Sequence, residues 1–143
     1  MEQGVYSVKP AFRPALHALL VLLLLAGNTE AAGGTAGHVG PREAATLMQE
    51  NAGNRNFVVV DVRTPGEFSQ GHLNGALLID YRSPDFRQEV AMLDRTKTYL
   101  VYCRTGNRST GAVGIMKELG FRSLYHMDGG IVQWEADGLP VRK

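Results

Sequence analysis

The chain has 143 residues, 44% of them apolar, enough for one domain around one core and too few for a comfortable second. Its 15 Lys and Arg against 14 Asp and Glu give a net charge of +1, without the basic excess that marks a nucleic-acid binder. A single cysteine excludes an intrachain disulfide, a paired-cysteine redox motif and a cysteine-rich zinc site.

In chain order, the apolar run from Ala15 to Ala26 is broken only by His17. Lys9 and Arg13 precede it, and the small residues Thr29 and Ala31 follow. That order is the pattern of a secretory signal peptide over residues 1–31, with cleavage expected after Ala31. The run is about a dozen residues, short of the ~20 that a spanning helix needs, so no stable membrane span is expected after cleavage. An uncleaved anchor is the alternative. Export is the expected location, to the periplasm if the source is a Gram-negative bacterium. Residues 32–40, rich in Gly and small side chains, read as a flexible lead-in, and residues 41–143 as the folded domain.

Pro41 is placed to open a helix over Arg42 to Asn51, with Ala45, Leu47 and Met48 near one face. The β-branched run Phe57 to Val62 has no polar alternation and reads as a strand buried on both faces. Thr64-Pro65-Gly66-Glu67 opens a short helix, and Ala76 to Ile79 is a second strand. A further helix follows Ser83-Pro84-Asp85, with Phe86, Val90 and Leu93 on one face. Thr98 to Tyr102 is the third strand, and Ser109 to Leu119 a helix stopped by Gly120. Ser123 to His126 and Gly130 to Ala136 complete the chain as strand and helix. Strands and helices alternating in such short units imply an α/β fold of three layers, with a mainly parallel central sheet flanked by helices. Ligands in such sheets sit beyond the carboxyl ends of strands, which directs attention to the segment after the third strand.

That segment is Cys103-Arg104-Thr105-Gly106-Asn107-Arg108-Ser109. It sets a thiol at the end of a buried strand, then a tight glycine-containing loop, then a helix N-terminus. Amides turned inward by such a loop make an anion cradle, and the helix dipole adds about half a positive charge. Arg104 and Arg108 contribute two full charges. Together these groups favour thiolate over thiol and place the Cys103 pKa below the ~8.5 of a free cysteine. A buried, inert cysteine is the bland alternative, since cysteine is among the most buried residue types. It leaves unexplained why two arginines, a glycine and a helix start fall within six residues of the thiol.

Asp61-Val62-Arg63, Glu67-Phe68, Gly71-His72-Leu73, Gly75-Ala76, the Cys103 to Ser109 loop, Leu119-Gly120-Phe121, Gly129-Gly130 and Trp134 occur in that order. Together they resemble the single-domain rhodaneses, the thiosulfate sulfurtransferases, over about residues 38 to 142. The resemblance implies a rhodanese-like fold and a persulfide on Cys103, held in a loop of six residues ending at Arg108. Among the accessory motifs, Asp61 with Arg63 reads as an internal ion-pair scaffold. Glu67 and His72 read as partners of backbone groups at turns. Trp134 and Phe68 read as core, and Gly129-Gly130 as a tight turn into the last helix.

The expected chemistry is two-step sulfur transfer. Cys103 takes a sulfane sulfur from thiosulfate or a similar donor, and cyanide or another thiol removes it. The amides from Arg104 through Arg108, with Thr105, Gly106, Asn107 and Ser109, would hold the persulfide and the donor, and the two arginines would orient a sulfonate. No metal or organic cofactor is needed. A persulfide carrier delivering sulfur to a partner protein shares the same loop and is the main alternative. A cysteine phosphatase or arsenate reductase places five residues between cysteine and arginine, whereas four separate Cys103 from Arg108 here. Asp128 and the loop arginines point to no particular docking partner.

Overall fold

The computed structural model describes residues 35–143. The proposed leader and its cleavage point lie outside the described residues. Five strands form one fully parallel sheet: β1 (Thr35–Val39), β2 (Phe57–Asp61), β3 (Leu77–Leu78), β4 (Thr98–Tyr102) and β5 (Ser123–Met127). Their spatial order is β1-β5-β4-β2-β3, so β4 is central. Among the described residues four helices connect them, α1 (Pro41–Glu50), α2 (Pro65–Gln70), α3 (Phe86–Ala91) and α4 (Asn107–Glu118), and α5 (Gly130–Ala136) follows β5. Proline at the first position suits α1 and α2, because the missing N–H would be unpaired there in any case.

The three-layer arrangement follows from the strand sequences. In β4, Leu100 and Tyr102 pack on one face with Val59, Met127, Ile131 and Trp134, under α1 and α5. Val101 and Cys103 point the other way, joining Val60, Phe86, Val113 and Met116 under α3 and α4. Two apolar faces on one strand are what a run without polar alternation provides.

The chain leaves β2 towards β3 on one side and leaves β4 towards β5 on the other. The carboxyl ends of β2 and β4 therefore flank the point where the winding reverses, where open α/β sheets place their ligands. Cys103 lies there.

One expectation is corrected. Thr35 to Val39, read as part of a flexible lead-in, form β1 and pair in register with Ser123 to Met127. Small residues do not preclude a strand when a neighbour offers an open edge, and Gly37 lets Tyr125 lie against it: a Cβ on Gly37 would meet the Tyr125 ring at 3.1 Å. Val39 is buried and anchors the strand.

Candidate active site

The site is built on the last residues of β4 and the first turn of α4. Cys103 is 1% exposed and belongs to the core cluster beneath α4. The chain then turns through Gly106, whose φ of +113° suits a residue without a side chain, and enters the helix at Asn107. The helix thus starts two residues earlier than the sequence pattern indicates. The turn aims donors at sulfur: the Gly106 amide donates to Cys103 Sγ at 3.0 Å, and Ser109 Oγ lies at 3.3 Å. Burial pushes the Cys103 thiol up, but the Ser109 hydroxyl and the amides of Ser109, Gly106 and Thr105 outweigh it and hold the pKa below the ordinary value.

The two arginines behave differently from the charge argument. Arg104 is exposed and borders a small pocket with Arg63, Gln70 and Glu135. Arg108 makes a bidentate pair with Glu67, with both N···O distances 2.7 Å. This pair raises the Arg108 pKa, with the Cys103 thiolate adding a weaker attraction at longer range. Glu67 also accepts from the Thr64 amide and hydroxyl in a capping box that starts α2. Hydrogen bonds from Arg108, opposed by burial and helped by Thr64, hold the Glu67 carboxyl down to about 2. The thiolate is therefore favoured chiefly by a hydroxyl and amides, while Arg108 ties the loop to α2. Thr105 and Asn107 have exposed side chains, so Thr105 serves the sulfur through its backbone and Asn107 begins the helix.

The scaffold beneath is ionic and buried. Arg63 meets Asp61 at 2.6 Å and the Gly71 carbonyl at 2.7 Å. Tyr102 donates to Asp61 at 2.6 Å and accepts from the Leu73 amide at 3.0 Å. Asp61 and Arg63 are the internal pair that the sequence suggests. His72 bonds the Phe68 carbonyl at 3.0 Å, as expected of a turn histidine. Phe68, read as core, is instead half-buried, its ring stacked on His72 at 3.7 Å. Trp134 is core, its indole N–H given to the Pro140 carbonyl.

The last helix closes the site from the other side. Gly129 and Gly130 both have positive φ, and the amides of Ile131 and Val132 donate to the carbonyls of Cys103 and Arg104 at 2.9 and 3.1 Å. A Cβ on Gly130 would lie 2.4 Å from the Arg104 carbonyl oxygen. These two glycines let one helix start seat the backbone of Cys103 itself.

Sequence reasoning missed the groups behind Ser109. Its hydroxyl lies 2.8 Å from His126 Nε2, and His126 Nδ1 lies 2.9 Å from Asp128, which also meets His38. Among these, His126 and Ser109 are buried while His38 and Asp128 are exposed. The signal available in sequence was the His126-Met127-Asp128 spacing, which puts both polar residues on one strand face.

Comparison with known proteins agrees with this geometry. The Rhodanese-like domain family matches residues 43–137. The thiosulfate sulfurtransferase GlpE of Stutzerimonas stutzeri is 37% identical over 95 residues, covering 66% of this chain and 81% of that protein. The probable adenylyltransferase/sulfurtransferase MoeZ of Mycobacterium tuberculosis is 35% identical over 94 residues, 66% of this chain. This chain spans only 23% of MoeZ. The crystal structure of a rhodanese-related protein from Thermoplasma volcanium superposes with a TM-score of 0.61 at 30% identity, covering 74% of this chain and 97% of that one. With its parallel sheet, its cysteine loop at the end of the central strand and this match, the chain belongs to the rhodanese-like domain family.

Proposed function

We propose that the protein is a thiosulfate sulfurtransferase working through a persulfide on Cys103. The family and its sulfurtransferase-named relatives support sulfur transfer in general. The observation that carries the finer reading is the set of donors on one sulfur, Gly106 N at 3.0 Å and Ser109 Oγ at 3.3 Å. That cradle stabilises a thiolate without a separate base, and it stabilises a persulfide anion in the same way. The thiolate attacks the outer sulfur of thiosulfate, the S–S bond breaks, and its electron pair leaves on sulfite. Cyanide or a thiolate then attacks the outer persulfide sulfur, carries it away and regenerates Cys103. With the thiol 1% exposed, a thin donor that can enter sulfur-first is favoured over a bulky one. Exposed Arg104, next to the thiol in the chain, supplies a positive charge for the donor's sulfonate on this reading.

Thiosulfate and then cyanide, added to the chain from Ala32 and to its Cys103→Ser variant, test this reading. Thiocyanate turnover with one added sulfur on the wild type alone is expected. An added sulfur without turnover would instead make the protein a persulfide carrier, and absence of both would overturn sulfur transfer at Cys103. Export rests on the leader's residues and belongs to the same proposal, and a secreted product beginning at Ala32 is the expected readout.

A further inference from the structure

The strand register gathers a second set of donors. His38 on β1 is the direct partner of His126 on β5, and Asp128 follows His126 by two residues on the same face. The two rings stand 5.1 Å apart, and each Nδ1 lies 2.9 Å from the same Asp128 Oδ1. One ligand atom from each residue lies within 4.8 Å of the other two. Among the described residues this is the only cluster of at least three such side chains that meets.

We propose that His38, His126 and Asp128 form a binding site for a divalent first-row transition ion of the Zn2+ class. Two imidazoles and a carboxylate are the donor set such ions take, with water completing the coordination. Asp128 already bridges the two Nδ1 atoms, so a cation between them replaces two hydrogen bonds with coordination by groups in place. His38 and Asp128 are more than half exposed, which leaves the ion a route in.

The buried side of His126 supplies an independent reason. An imidazole that binds metal through Nδ1 carries its proton on Nε2, and that N–H needs an acceptor. The Gly106 carbonyl lies 3.2 Å from His126 Nε2 and Ser109 Oγ lies 2.8 Å away. Without an ion the Asp128 carboxylate, 2.9 Å from Nδ1, takes the proton there; an ion at Nδ1 sends it to Nε2, where the Gly106 carbonyl, which can only accept, receives it. The Ser109 oxygen then accepts from His126, and its own hydrogen is released to the Gly106 carbonyl at 3.0 Å or to Cys103 Sγ at 3.3 Å. Metal on the rim would thereby favour the thiolate through one buried hydroxyl.

The test uses the Cys103→Ser chain, so that no thiolate competes for metal. Co2+ is followed by its ligand-field absorbance, Zn2+ by competition with a chromophoric chelator, and the His126 ring nitrogens by NMR. Stoichiometric binding that weakens at least tenfold in His38→Ala and in Asp128→Asn is expected, together with a shift of the His126 proton to Nε2 when Zn2+ is added. His38→Ala alters an exposed side chain and so keeps the fold. Absent binding, binding insensitive to both variants, or an unmoved His126 proton would each overturn the site. Failure here leaves thiocyanate turnover untouched, because that reaction is not routed through the ion.

Discussion

At the scale of single residues, the Cys103 environment turns on Ser109, whose hydroxyl is one of the two short donors to sulfur. Because the folded pKa is lowered, the thiolate persists as pH falls until that lowered value is crossed. Alkylation of native Cys103 should therefore show a pH midpoint below the ~8.5 of a free cysteine, and the midpoint should return to the ordinary value in urea. Ser109→Ala should raise the native midpoint and slow alkylation at pH 7 by about 3–10-fold, the scale of one ordinary hydrogen bond. Glu67 allows a second check. Its carboxyl titrates near 2 in the fold against 4.5 when unperturbed, so the stability it contributes is complete above 4.5 and disappears as pH falls towards 2. Glu67→Gln should lower stability by about 1–2 kcal/mol at pH 7 in urea unfolding. The gap between variant and wild type should close on acidification through that window.

At the scale of elements, the α5 start is the tightest constraint on the loop. Gly130 has φ +58°, and any side chain there would overlap the Cys103 and Arg104 carbonyls that the helix amides cap. Gly130→Ala should cost about 2–4 kcal/mol from strain and displacement together. It should lower sulfur transfer more than tenfold even where the domain stays folded, as judged by circular dichroism beside thiocyanate assays. The helices and inner strands were legible because each carries a local signal: Pro41 and Pro65 at helix starts, Gly120 after a helix end, and the runs Phe57 to Val62 and Thr98 to Tyr102. The Cys103 loop was legible for the same reason, since its parts are contiguous. The Glu67–Arg108 pair and the Ser109–His126–Asp128–His38 chain were not, because they join residues brought together only by helix placement and strand register. Charge counting alone thus assigned Arg108 to the thiolate, whereas geometry gives its two terminal nitrogens to Glu67.

At the scale of the whole molecule, β1 finishes the sheet. Without it, β5 would present an open edge and Met127, buried beside Val39, would lose its cover. A chain beginning at Pro41 should be at least about 2 kcal/mol less stable than one beginning at Ala32, roughly the worth of burying Val39 alone. It should also self-associate through the bared strand, which size-exclusion chromatography would detect. Equal stability and a monomeric profile would return residues 35–39 to the role of a loose lead-in.

The depth of Cys103 has a consequence for traffic in and out of the loop. A bare thiolate with 1% exposure presents almost no target to a bulky disulfide or to a neighbouring protein's thiol. On the proposed persulfide reading, loading one sulfur would advance the reactive atom by about 2 Å, the length of an S–S bond. The empty protein would then be sheltered from stray exchange, while a loaded sulfur would stand one bond length nearer to an acceptor.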